Sequence, residues 1–109
     1  MTVQSLLNNL YGYKTRSVIN RETAAIGVAA VRILKTDNTR ASVLIVNNSA
    51  NIIYVLNSPN VSSSRGIVIP PSGSLLLQWF EDGMLGVDEW YGISSGAASS
   101  VTILENLMI

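Results

Sequence analysis

Between Ala41 and Phe80 the chain writes four short apolar runs, each closed by residues that turn a backbone. The runs are Val43-Leu44-Ile45-Val46, Ile52-Ile53-Tyr54-Val55-Leu56, Ile67-Val68-Ile69 and Leu75-Leu76-Leu77. Between them stand Asn47-Asn48-Ser49-Ala50-Asn51, Asn57-Ser58-Pro59-Asn60 and Pro70-Pro71-Ser72-Gly73. Such runs are too short for buried helices and rich in β-branched residues, so they read as strands. Pro59 and the Pro70-Pro71 pair cannot donate to a ladder and stop the strands before them. The stretch is expected to be an antiparallel meander in which Asn47–Asn51 is a hairpin loop. The unbroken run at Val43–Val46 predicts burial on both faces, or one face in a core and one at an interface.

The same alternation continues on either side. Ile26 to Lys35 alternates, but its parity changes at Ala29-Ala30, which predicts a bulge or a bend. Trp90–Ser94 and Ser100–Glu105 complete about seven strands, with turns every eight to twelve residues, the spacing of a sandwich or barrel. The expected fold is all-β: a single small antiparallel β-sandwich, jelly-roll or Ig-like, over residues 26–109. Residues 1–25 are expected to form an N-terminal arm or short helix. Leu6, Leu7, Leu10 and Tyr11 fall on one helical face, with Ser5 as a cap and Gly12 as a stop. Tyr13 to Ala25 has no clear period. It reads as an arm ordered on a neighbouring subunit, with an edge strand over Thr15–Asn20 as the alternative.

With 109 residues the chain holds one small core. Charged residues make up 13%, about half the usual share, so part of an apolar or neutral polar surface is expected to face another protein. Residues 1–40 carry Lys14, Arg16, Arg21, Arg32, Lys35 and Arg40 against Glu22 and Asp37. Residues 41–109 carry Arg65 against Glu81, Asp82, Asp88, Glu89 and Glu105, so the balances are opposite and the net charge is zero. Without a basic excess, nucleic acid is not expected as the main partner. No apolar run approaches the ~20 residues that span a bilayer, so no membrane partner is expected. The N-terminus lacks the basic start and apolar core of a secretory signal.

The chain has neither cysteine nor histidine. That removes thiolate nucleophiles, His-based triads and the usual zinc ligands. The carboxylates Glu81, Asp82, Asp88 and Glu89 surround a glycine-bearing loop, but their spacing matches no EF-hand. They read as a solvated acidic loop, with a weak calcium site as the alternative. No catalytic residue, metal ligand or cofactor site is expected, and the chain does not read as an enzyme. Trp79 and Trp90 flank this loop. They read as core or interface anchors, with a ligand surface for sugar as the alternative.

Arg40-Ala-Ser-Val-Leu-Ile-Val-Asn-Asn-Ser, Ile53-Tyr-Val, Val61-Ser-Ser-Ser-Arg-Gly-Ile-Val-Ile-Pro-Pro-Ser-Gly and Trp90-Tyr-Gly-Ile-Ser together resemble small β-sandwich structural proteins of tailed bacteriophages and similar viruses. The resemblance covers roughly residues 40–105. It implies a virion component made in the host cytoplasm, such as a capsid decoration or cement protein or a neck or tail protein. Its implied partners are copies of itself and other virion proteins, in a homo-oligomer. The contacts expected to carry assembly are Leu6, Leu7, Leu10, Tyr11, Arg16 and Arg21 from the arm, and Leu107, Met108 and Ile109 from the apolar tail. A carbohydrate- or receptor-binding β-sandwich module is the alternative.

Overall fold

A computed structural model describes residues 15–22, 25–97 and 99–108 of the chain. They form nine strands: β1 (Thr15–Ile19), β2 (Ala25–Ile26), β3 (Val31–Leu34), β4 (Arg40–Asn47), β5 (Ile53–Leu56), β6 (Ile67–Ile69), β7 (Ser74–Gln78), β8 (Trp90–Ser94) and β9 (Ser99–Met108). One sheet has the order β1-β9-β4-β7, with β2 also paired to β9. The other has the order β3-β8-β5-β6. Every pairing between them is antiparallel. The two sheets pack face to face as a β-sandwich.

The pairing has a simple logic. β5 pairs β6, β4 pairs β7, β3 pairs β8 and β2 pairs β9. These four pairs are the rungs of one long hairpin, and they alternate between the two sheets. Wrapping it brings β9 against β4 and β8 against β5, which closes each sheet. This is the jelly-roll alternative of the expected sandwich, with β1 added beside β9.

The meander is therefore corrected. β4 and β5 lie in different sheets, and residues 48–52 carry the chain from one to the other. Asn47 builds that corner. Its buried Nδ2 donates to the carbonyls of Asn51 (2.7 Å) and Ile69 (2.9 Å), and its Oδ1 accepts from the Ser49 N–H (2.9 Å) and hydroxyl (2.7 Å). The parity change at Ala29-Ala30 has the same meaning: it separates β2 in one sheet from β3 in the other. A second turn is fixed by Pro71 and Ser72. The Gly73 N–H donates to the Pro70 carbonyl at 2.8 Å, while Ser72 takes the left-handed conformation, φ 63°. That is a type II turn with proline at its second position.

The core is the inner face of both sheets: Ile26, Ile33, Leu34, Val43, Ile45, Ile53, Val55, Ile69, Leu77, Trp90, Val101 and Ile103. Most of these residues are β-branched, which suits a pleated surface. Glu81 to Glu89, expected to be a loop, is partly helical. One α-helical turn, α1 (Trp79–Asp82), runs into it, and a 3₁₀ turn follows over Gly83–Gly86. Among the described residues no helix is long and apolar enough to cross a membrane.

The arm reading is also corrected over part of its length. Thr15–Ile19 pairs with Leu104–Met108 of the same sheet, as the alternative edge strand. β1 gives β9 its second neighbour, beside β4, along the C-terminal half. The apolar tail follows suit: β9 runs to Met108, whose N–H donates to the Thr39 carbonyl at 2.6 Å.

Candidate functional site

Period-two alternation sends every second residue of β4 and β9 away from the core. In most exposed sheets those positions are polar. Here they are not. Ile19 lies opposite Leu104, Leu104 opposite Leu44, and Leu44 opposite Leu76. The four form an apolar row across the outer face of β1, β9, β4 and β7. Its two ends are the most open, Ile19 at 65% and Leu76 at 53% exposure. The continuous Val43–Val46 run is thus split between faces: Val43 and Ile45 are buried, while Leu44 and Val46 are half-buried on the outside.

The outer face of the other sheet is built alike. Tyr54 lies between Val68 and Ile93, and Tyr91 lies between Leu56 and Arg32. Val68 is 54% exposed, and Tyr54, Tyr91, Leu56 and Ile93 are half-buried. Tyr54, Tyr91 and Arg32 are of residue types enriched in interfaces, and they stand here among Val68, Leu56 and Ile93.

At one end of the sandwich a charge cluster closes the core. Glu105 sits at an inner-face position of β9, between Ile103 and Leu107, and is buried. Its Oε2 accepts from Arg40 Nε at 2.7 Å and from an Arg21 terminal nitrogen at 2.6 Å. Its Oε1 accepts from Arg21 Nε at 2.9 Å. Arg40, with no exposed side chain, also donates to the carbonyls of Gly86, Asp88 and Lys35. Arg21 reaches the cluster because Asn20 turns the chain in the left-handed conformation, φ 49°. Asn20 also clamps β9, donating to the Ile103 carbonyl and accepting its N–H at 2.7 Å. Arg21 bridges onward to Asp37 at 2.8 Å.

The electrostatics follow. Burial pushes the Glu105 carboxyl up, but the hydrogen bonds from Arg21 and Arg40 outweigh it and hold the group below its ordinary range. Burial also opposes ionisation of Asp37; the hydroxyl and N–H of Thr39 and the Arg21 guanidinium overcome it and bring it down to about 2. A cavity of about 200 Å³ beside the cluster is lined by Arg21, Glu22, Lys35 and Glu105. Glu105 is committed to arginines, so it holds no proton to give at neutral pH, and its lone pairs are occupied. The cluster is suited to fixing the end of the sandwich rather than to acid–base chemistry.

Several expected site residues fall elsewhere. Trp90 is a core residue, 2% exposed, with its Nε1 donating to the Leu85 carbonyl at 2.9 Å, so it forms no ligand surface. The Trp79 backbone opens α1, and its side chain lies outside the described part of the structure. Leu107 is buried against its own sandwich, and Arg21 is spent on internal ion pairs, so neither is free for a neighbour. Arg16 is exposed on β1, and Met108 is half-buried at the end of β9. Leu6, Leu7, Leu10, Tyr11 and Ile109 lie outside the described residues. In the acidic segment, Asp82 accepts from the Gln78 N–H at 2.7 Å, and Glu89 lies 3.9 Å from Arg32. Among the described residues no group of three or more carboxylates is arranged to hold a metal ion.

No protein-family model matches the chain, and no curated protein matches it in sequence.

Proposed function

We propose that the chain is a structural subunit of a virion, such as a capsid decoration or cement protein or a neck or tail protein. It is held among copies of itself and other virion proteins by protein–protein contacts. The observation that carries this reading is the apolar row Ile19–Leu104–Leu44–Leu76 across one outer face, with the tyrosine and aliphatic patch on the other. A sandwich that works alone in water has no use for such a row, whereas a subunit with a neighbour on that face buries it. The strand pattern over residues 40–105 and the jelly-roll order, which recurs in capsid domains, support the same reading by analogy. It assigns the chain no catalytic chemistry.

The test is sedimentation of particles from the organism that makes the protein. The protein is expected to travel with particles in many copies, and Leu104→Lys, a charge set into the middle of the row, is expected to release it. Recovery of the wild-type protein only as free subunits overturns the reading.

One observation favours a second reading. Tyr54 and Tyr91 are diagonal neighbours on the outer face of β5 and β8, where aromatic rings can stack on sugars. As a carbohydrate- or receptor-binding module, the chain would bind glycans on an array, and Tyr54→Ala or Tyr91→Ala would abolish the signal.

A further inference from the structure

Among the described residues the two sheet paths end on four strands, β1 and β7 in one sheet and β3 and β6 in the other, with the two-residue β2 off the path on β9. A terminal strand offers a row of backbone groups to any passing chain, and proteins protect such edges with charge, bulges, proline or shortness. Three of the four are protected here. β1 carries Arg16 at an inner-face position, opposite Leu107. β3 carries Arg32, paired with Glu22, and its register shifts between Arg32 and Leu34. β6 has only three residues and runs into Pro70 and Pro71. Within its own residues β7 has none of these devices, and the Asp82 carboxylate covers its Gln78 end alone. It is Ser74-Leu75-Leu76-Leu77-Gln78, five residues with no charge, no proline and no register shift against β4.

The backbone bonds show which groups of β7 face outward. The Asn47 N–H donates to the Gly73 carbonyl, so residues 73, 75 and 77 point toward β4 and residues 74, 76 and 78 point away. On the free edge the Gln78 N–H is taken by the Asp82 carboxylate at 2.7 Å. Ser74 and Leu76 are left with both their N–H and their C=O directed outward.

We propose that β7 pairs antiparallel with β7 of a second copy about a two-fold axis through Leu75. In that register Ser74 of each copy faces Leu76 of the other, and all four outward groups of each strand are satisfied, by four backbone bonds in total. Asp82 sets the register, because it removes Gln78 from the edge. Leu75, partly buried against the core, meets its own symmetry mate and continues the core across the axis. No like charges are brought opposite, since the strand has none. The contact is isologous and closes as a dimer, joining two four-strand paths into one continuous sheet. An edge about 17 Å long falls short of the ~800 Å² per partner of a standard interface, so the pairing is weak and depends on concentration. This inference deepens the assembly reading and rests on it for the choice of a second copy as partner.

The experiment is sedimentation equilibrium of the purified full chain from 0.02 to about 1 mM, a range suited to a contact below standard size. The wild-type mass is expected to rise toward that of a dimer. Ser74→Pro and Leu76→Pro each remove an N–H that faces away from β4, so both are expected to stay monomeric to the top of the range with the β4 ladder intact. Two variants guard against one failing to fold, and circular dichroism checks both. Leu104→Lys, which lies in the outer row but off the edge, is expected to dimerise like the wild type. A wild-type monomer throughout overturns the proposal. So does association that survives both proline variants. Association lost in Leu104→Lys but kept in Ser74→Pro overturns the edge pairing while leaving assembly through the sheet face standing.

Discussion

Replacing Glu105 by leucine should cost this domain a large part of its stability. Leucine is somewhat larger than glutamate, so the change opens no cavity and chiefly removes the charge. Arg40 would keep its guanidinium in a site with no exposed side-chain surface, bonded to three carbonyls but facing no anion. Removing one partner of a buried ion pair costs about 3–5 kcal/mol. Arg21, a third exposed, can turn to water and adds little. For a domain of 109 residues the unfolding entropy is roughly 0.23 kcal/mol/K, so the melting temperature should fall by about 13–22 °C. Adding Arg40→Met should restore part of the loss, because the uncompensated charge is gone. It should not restore all of it, since three carbonyls lose a donor at about 1 kcal/mol each. Urea unfolding of the wild type, both single variants and the double variant closes the cycle. A Glu105→Leu cost below about 1 kcal/mol, or a double variant equal to the sum of the singles, would refute the buried pair as described.

Stability should also depend on acid in a defined window. The folded-state carboxyls of Asp37 and Glu105 lie below their ordinary values, so the folded chain binds fewer protons than the unfolded one as pH falls from about 4 toward 2. Stability is therefore full above that window and lost within it, and Asp37→Asn should flatten part of the slope in acid titrations followed by circular dichroism. Asn47→Ala should cost about 2–4 kcal/mol in chemical denaturation, because it removes four hydrogen bonds from a buried corner; a loss under 1 kcal/mol would show the corner holds without them. Ser72→Gly should raise the melting temperature by a few degrees, as it relieves a left-handed serine worth about 1 kcal/mol; a drop would mean the gain in unfolded-chain entropy prevails.

Which parts of this were legible beforehand depends on how far each signal reaches along the chain. Alternation is local, so it marks strands and their inner positions without knowing their partners. It marked the strands that carry Val43, Ile45, Ile53, Val55, Val101 and Ile103, while the structure decides that these residues face the core. It even puts Glu105 on the inner face, in the series Val101, Ile103, Glu105, Leu107, although the count of acidic residues drew attention to its charge rather than its parity. The break at Ala29-Ala30 was visible as a change of parity, while its meaning, a crossing between sheets, was not.

The choice of partner was beyond reach of such signals. Asn47–Asn51 has the composition of a hairpin loop, but β4 pairs with β7 and β9 because the wrapped hairpin satisfies every strand at once and buries both inner faces. Trp90 and Leu107 look alike to any surface anchor in sequence; only the sandwich decides that both point inward. The same holds for the apolar row, assembled from residues 19, 44, 76 and 104 by four strands from distant parts of the chain. The sequence by itself determined the strand periodicity, the small core and the lack of cysteine and histidine chemistry. The tertiary structure alone decided which strands are neighbours, which apolar residues remain outside, and which edge stands unprotected. Burial is a property of both faces of a sheet together, and hydrogen-bond partners are chosen across the whole chain.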